Sequence, residues 1–252
     1  MLGALVEQWS GQRRVHRPYP PAEPGLVIYV IGDIHGRDDC LVEAHARIER
    51  DAYHRARGRR VLEIYLGDLI DRGPQSAAVV ERILRRTGRR DVIVLKGNHE
   101  LLFSDFLRGQ LDYDSFKSFG GRETLLSYGV DPSELRRGGQ AIVEAASRKV
   151  PKEHVKLFDI APLSFRLGGY LFVHAGLRPE VPVAQQTADD LAWIRDDFLA
   201  HDGDFGAIVV HGHTPVPRID FRPNRINVDT GAYATRRLSV LVIDDLGPAE
   251  ID

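Results

Sequence analysis

The stretch Leu26-Val27-Ile28-Tyr29-Val30-Ile31-Gly32-Asp33-Ile34-His35-Gly36 opens as an unbroken apolar run and closes on an aspartate and a histidine set among glycines. A β-branched run ended by turn residues is a strand pattern. In Asp33-x-His35 the alternation of an extended backbone puts both side chains on one face, within reach of a single cation. Glycine beside each polar residue allows a tight turn and close backbone approach. The decisive feature is recurrence. Gly67-Asp68-Leu69-Ile70-Asp71-Arg72-Gly73, Gly97-Asn98-His99-Glu100, His174-Ala175-Gly176 and His211-Gly212-His213-Thr214 repeat the design, and most of them follow apolar runs.

Between the first three of these segments the sequence reads as helix: Asp38 to about Arg57, and Pro74 to about Thr87 with the proline in the first turn. Arg60–Leu66 and Asp91–Leu95 read as strands, and Glu100–Leu107 as a third helix. Strand, polar loop and helix in repetition predict parallel strands joined by crossover helices. Residues 109–160 depart from the pattern, with helical stretches broken by Gly120-Gly121, Gly129, Pro132 and Gly138-Gly139, and predict a helical insertion that shapes the cleft. Strands then return at Leu163–Leu167, Tyr170–Val173, Ala207–Val210, Arg225–Val228 and Leu238–Ile243. Gly168-Gly169 is a hairpin signal, and Thr187–Leu199 reads as one helix. The expectation is a single α/β domain over 25–252 with an insertion at 109–160. Residues 1–24, with Pro18, Pro20, Pro21 and Pro24, are expected to form a flexible extension.

Composition narrows the function classes. Of 252 residues, 43% are hydrophobic, which suits a packed core, and no apolar run is long enough for a membrane span. The initial apolar segment is too short for a secretory signal and no basic segment precedes it, so a cytoplasmic location is expected. Cys40 is the single cysteine, which excludes an intrachain disulfide and a thiolate-based zinc site. A net charge of −2 offers no electrostatic case for nucleic acid. The arginine clusters at 55–60 and 85–90 each end a helical pattern and contain a glycine, as expected of helix C-termini.

Asp, His and Asn without thiolate suit Mn, Fe or Zn, and the donor set does not separate these. Asp68 has two oxygens and can bridge two ions, Asn98 can supply a neutral carbonyl oxygen, and His174 and His213 can supply ring nitrogens. Two adjacent divalent ions with a phosphate fit this set of donors.

From about Leu26 to Ile243 these motifs resemble the metallophosphoesterases and, within them, the phosphoprotein phosphatase family. The resemblance implies a two-sheet α/β sandwich flanked by helices. It implies a first metal on Asp33, His35 and Asp68, and a second on Asp68, Asn98, His174 and His213. Of the two histidines around Gly212, the family pattern selects the one before Thr-Pro, His213, and leaves His211 in a supporting place. Pro215 stands where many relatives outside this branch carry a further ligand histidine. By the same resemblance His99 is the general acid, Asp71 orients it, and Arg72 binds phosphate. Arg195, in Trp193-Ile194-Arg195, is the second phosphate arginine. The implied reaction is direct attack on phosphorus by a hydroxide bridging the two metals. Phosphoserine and phosphothreonine in proteins are the expected substrates, and Ala175 and Thr214-Pro215 suit a bacterial-type enzyme. Symmetrical dinucleoside tetraphosphates and phosphotyrosine are the alternatives. Relatives that cleave the former tend to carry Ala in place of Asp71 and Asp in place of Glu100.

Overall fold

The computed structural model describes residues 19–251. The first part of the chain runs β1 (Leu26–Ile31), α1 (Asp38–Arg55), β2 (Arg60–Tyr65), α2 (Ser76–Thr87), β3 (Asp91–Val94) and α3 (Asn98–Leu107). Five short helices follow: α4 (Tyr113–Ser118), α5 (Gly121–Ser127), α6 (Pro132–Arg137), α7 (Gln140–Lys149) and α8 (Lys152–Ile160). The remainder is β4 (Ser164–Leu167), β5 (Tyr170–Val173), α9 (Ala188–Trp193), α10 (Asp196–Leu199), β6 (Ile208–His211), β7 (Asp220–Phe221), β8 (Arg225–Asn227), α11 (Ala232–Thr235), β9 (Val240–Asp244) and β10 (Gly247–Ile251).

The strands form two five-stranded mixed sheets, ordered β10-β9-β1-β2-β3 and β4-β5-β6-β8-β7. The centre of each is parallel: β1 with β2 and β2 with β3, then β5 with β6 and β6 with β8. Residue alternation assigns each face. Ile28 and Val30 of β1, Ile64 of β2, Phe172 of β5, Val210 of β6 and Ile243 of β9 form the core between the sheets. Val27, Tyr29 and Ile31 face the other way, onto α1 and α2. Leu171 and Val173 pack outward against Leu191 of α9 and Phe198 of α10. A strand covered on both faces is apolar throughout rather than alternating, which is why β1 reads as a continuous run.

Helices α4–α8 cover α2 and α3. Phe116 stacks on Phe106 with centroids 4.8 Å apart, and Phe103 contacts Phe116, Tyr128 and Phe158. Each such buried ring contributes about 1.5–3 kcal/mol. Asp112 caps α4, and Asp131 with Glu134 forms a capping box on α6.

Four expectations shift. Helix α2 starts at Ser76, not Pro74, because Gln75 N donates to Gly36 O (2.9 Å), which holds 73–75 as a turn against the His35 loop. Helix α3 begins at Asn98, so Asn98 and His99 form its first turn. The helix expected over Thr187–Leu199 is two, because Arg195 leaves the helical region at φ −133°, ψ −92°. Residues 1–18 of the expected flexible extension lie outside the described residues, while 19–24 pack on the domain. Tyr19 Oη donates to Arg222 O (2.7 Å), Ala22 N donates to Asp244 O (2.8 Å), and Pro20 O accepts from Tyr170 Oη (2.6 Å). Prolines cannot donate, but the Pro20 carbonyl still accepts, and the donors come from Tyr19 and Ala22 between them. The arginine clusters serve mainly in ion pairs, Arg55 with Asp51 and Asp244, and Arg86 with the buried Glu63.

Candidate metal centre

Both parallel sheet centres point their C-terminal ends at the same rim, where ligands gather in α/β sheets. The rim receives Asp33 and His35 after β1, Asp68, Asp71 and Arg72 after β2, Asn98 and His99 after β3, His174 after β5, His213 after β6 and Asp229 after β8. His35, Asp68, Asp71, Arg72 and His213 all have positive φ (47°, 49°, 69°, 65° and 66°). Such backbone costs on the order of 1–3 kcal/mol per residue and persists where surrounding structure over-determines it. Here Glu100 does much of that work. Its buried carboxylate accepts from the backbone N–H of Gly97 (2.9 Å), Asp68 (2.9 Å) and Leu69 (2.8 Å), locking the second and third loops together. Burial pushes the Glu100 carboxyl up to about 7. At Gly212, a Cβ would sit 2.1 Å from Asp33 Oδ1, so only glycine lets the fifth loop reach the first.

The buried acceptors meet with few donors between them. His35 Nδ1 lies 2.9 Å from Ile70 O and His174 Nδ1 lies 3.0 Å from Leu66 O, so each carries its proton there. The Nε2 lone pairs then face inward. His35 Nε2 is 3.5 Å from Asp68 Oδ2. His174 Nε2 is 3.3 Å from Asp68 Oδ1, 3.0 Å from Asn98 Oδ1 and 3.1 Å from His213 Nδ1. One carboxylate thus presents an oxygen to each of two groups, His35–Asp68–His99 and Asp68–His174–His213. Converging lone pairs are the donor chemistry of a cation site, with carbonyl acceptors fixing the ring tautomers. Asp33 accepts from His213 N (3.1 Å) and adjoins this cluster. Burial, with the charges of Asp229 and Asp68, pushes its carboxyl well above the usual range. Burial also raises Asp68, but the surrounding imidazoles of His174, His99, His35 and His213 outweigh it and hold that carboxyl low. Burial drives His35 and His213 down to about 3, so both remain neutral and able to ligate. These residues fit divalent metal, and the donor set is all oxygen and nitrogen.

Beside the cluster, His99 Nδ1 and Asp71 Oδ2 are 2.7 Å apart, both fully buried. Burial opposes charge on His99, but Asp68 and Asp71 raise its pKa above the ordinary value. Asp71 is itself fixed by Thr124, whose Oγ1 donates to Asp71 Oδ1 (2.5 Å) and accepts from Asp71 N (2.8 Å). Arg72 Nη2 approaches His99 Nε2 at 3.1 Å, and its guanidinium lies 4.7 Å from the centroid of the Tyr233 ring. Arg195, exposed at the break between α9 and α10, contributes positive charge felt by His174, His213 and Asp229. His211 points away: it is buried against Phe198 with its Nδ1 at Gly212 O, outside both clusters.

Asp33, His35, Asp68, Asn98, His174, His213, His99, Asp71 and Arg72 therefore gather in one cluster at the rim, and the charge of Arg195 reaches it. Thr124, Glu100 and Tyr233 belong to the same site without having been read as functional. Thr124 and Tyr233 lie outside the five glycine-flanked motifs, and Glu100 lies in one of them but serves in sequence only to separate subfamilies.

Two facing mixed sheets that gather acidic and imidazole ligands at a shared rim define a metallophosphoesterase. The chain belongs to the calcineurin-like phosphoesterases, whose family profile matches residues 26–243. It is 26% identical over 239 residues to the asymmetrical bis(5'-nucleosyl)-tetraphosphatase PrpE of Anoxybacillus flavithermus, covering 86% of this chain and 90% of that protein. A candidate diadenosine tetraphosphatase of solved structure superposes with a TM-score of 0.63 at 19% identity, covering 92% of this chain and 96% of the other. A protein serine/threonine phosphatase of Saccharomyces cerevisiae superposes with a TM-score of 0.55 at 16% identity, covering 90% and 80% respectively. The chain is a hydrolase of this metal-dependent phosphatase family. Among the described residues, no helix is long and apolar enough to cross a membrane.

Proposed function

We propose that the chain is a phosphomonoesterase acting on phosphoserine and phosphothreonine in proteins. The observation that carries this reading is the buried His99–Asp71 pair with its Thr124 brace. A serine alkoxide is a poor leaving group and needs a proton, whereas a nucleoside phosphate leaves with less help. An imidazole whose pKa two carboxylates raise above its ordinary value against the opposing effect of burial suits the harder task, and a positioned acid is commonly worth about 10²–10⁴-fold. Asp33, His35 and Asp68 would hold one divalent ion, and Asp68, Asn98, His174 and His213 a second, with manganese favoured over iron or zinc. Two such ions supply activated water at neutral pH and neutralise developing charge. The chain's own groups do the rest. Arg72 and Arg195 bind and orient the phosphate oxygens, and His99 Nε2, on the side away from Asp71, delivers the proton to the leaving oxygen.

A second reading, hydrolysis of dinucleoside tetraphosphates, is supported by the full-length likeness to PrpE. The residues that argue against symmetrical cleavage, Asp71 and Glu100, carry no argument against asymmetrical cleavage. Parallel turnover of a phosphoserine peptide, a phosphotyrosine peptide and diadenosine tetraphosphate with Mn, Fe and Zn separates the readings. Preference for the phosphoserine peptide is expected. Release of ATP and AMP at a higher kcat/KM would replace the substrate assignment. Metal uptake with no turnover of any substrate would overturn catalysis itself.

A further inference from the structure

We propose that Arg37 is a positioning residue that fixes the phosphate-binding face of the site through helix α11 and the ring of Tyr233. Arg37 follows the His35-Gly36 loop and is buried at the start of α1. Its guanidinium divides its bonds. Nε and Nη2 donate to the two oxygens of Asp39 (2.8 and 2.5 Å), and Nη1 donates to Ala232 O (3.2 Å). The first turn of α1 also holds the far end of α11. Asp39 pairs with Arg236 (3.5 Å), and Cys40 Sγ donates to Arg236 O (3.3 Å).

Helix α11 needs such anchors. It is four residues long, lies between Gly231 and Arg236, both left-handed, and belongs to neither sheet. It carries Tyr233, whose ring meets His35 edge-on at 5.4 Å and lies 4.7 Å from the Arg72 guanidinium carbon. On its other side Arg72 approaches His99 Nε2 at 3.1 Å. A solvent-exposed arginine has rotamer entropy to lose when it orders. Tyr233 reduces that loss at the moment of phosphate binding by holding the guanidinium beforehand, and Arg37 holds Tyr233. The inference rests on Arg72 binding the substrate phosphate, as proposed above.

The test compares Arg37→Met, Arg37→Lys, Tyr233→Leu and the Arg37→Met/Tyr233→Leu double variant as full-length, Mn-loaded protein. It reads kcat and KM for p-nitrophenyl phosphate, the Kd of orthophosphate by calorimetry, and hydrogen exchange at 231–236. Arg37→Met is expected to raise KM and the orthophosphate Kd together by about three- to ten-fold, a cation–π and ordering effect, with kcat changed less than KM. Exchange at 231–236 accelerates. Arg37→Lys, which retains a cation but not the fork, recovers part of the loss. The double variant matches Tyr233→Leu alone. Unchanged KM and Kd in Arg37→Met, or losses that add in the double variant, would overturn the clamp. Should Arg37→Met not fold, Arg37→Lys and Asp39→Asn carry the same comparison. A parent protein that neither hydrolyses p-nitrophenyl phosphate nor binds orthophosphate overturns the function reading and the clamp together, whereas a working parent with an indifferent Arg37 variant overturns the clamp only.

Discussion

At the scale of single residues, the site separates two jobs among side chains that look alike in sequence. His35 and His174 hand their Nδ1 protons to backbone carbonyls and turn a lone pair inward. His99 instead turns Nδ1 toward a carboxylate, Asp71, and its pKa moves up where those of His35 and His174 move down. What sits behind the ring thus sets whether the same residue type turns a neutral ring's lone pair inward or gains a raised pKa. His99→Asn removes the proton but keeps a polar group of similar reach. The expected outcome is a fall in kcat of about 10²–10⁴-fold on a phosphoserine peptide. The fall should be at least ten-fold smaller on p-nitrophenyl phosphate, whose leaving group needs about no protonation. Steady-state rates on the two substrates decide it, and equal losses would remove the acid role. Metal content, measured alongside, should not change, because His99 Nδ1 is held by Asp71 and its Nε2 lies 3.8 Å from Asp68 Oδ2, farther from that carboxylate than the Nε2 atoms of His35 and His174.

At the scale of elements, the helices between residues 109 and 160 contact the side chains and backbone of the rim directly. Thr124 of α5 gives its hydroxyl to Asp71 and takes the Asp71 N–H, and the backbone carbonyl of Gly120 accepts from Arg72 N (3.1 Å). Thr124→Val keeps the shape and deletes the hydroxyl, leaving Asp71 with Ser76 Oγ alone for its N–H. The expected cost is about 1–3 kcal/mol in stability for the unsatisfied buried groups, with kcat reduced about ten-fold through a loosened His99. Thr124→Ser should restore most of both. Thermal melts and rates together check it, and full activity in Thr124→Val would confine α5 to packing. This contact also marks the limit of what the sequence can tell. The loops after β1, β2 and β3 were legible because each of their polar residues sits within a few residues of its own strand and glycine. Thr124 is 53 positions from Asp71, and no local pattern announces such a pairing. The split between α9 and α10 was hidden for a related reason: the apolar spacing of Leu191, Ile194 and Phe198 continues across Arg195 although the backbone does not. The docking of Tyr19 to Pro24 was hidden because proline content reports missing donors and says nothing of the Tyr19 hydroxyl, the Ala22 N–H and the Pro20 carbonyl that bond to the domain.

At the scale of the whole molecule, the rim concentrates charges that folding alone does not balance. Without metal, buried Asp33 and Asp229 sit beside Asp68, and the Asp229 carboxyl is pushed up to about 6, by burial first. A carboxyl raised in the folded state binds its proton more tightly there than in the unfolded chain, so stability is lost as pH rises from about 4 to 6. The imidazoles run the other way. His35, His45, His211 and His213 are driven down to about 3 by burial. Below about 6.5 the unfolded chain binds protons that the folded chain refuses, so stability falls as pH drops from 6.5 toward 3. In metal-free protein the two sets oppose each other between 4 and 6.5. Divalent cations remove the carboxylate penalty, because they bind the deprotonated acid and the neutral ring, and both forms gain population with pH. The gain in Tm on adding Mn²⁺ to chelator-treated protein should therefore be several degrees larger at pH 7.5 than at pH 5.0, about 4–8 °C for each additional 1 kcal/mol in a small domain and less in one of this size. Asp33→Asn should flatten that difference and raise the Tm of the metal-free form at pH 7.5, since the amide has no charge to bury. Scanning calorimetry at the two pH values, with and without metal, tests the claim. An equal gain at both, or a metal-free Asp33→Asn protein less stable than its parent, would mean that the acidic cluster is not held in place against its own repulsion.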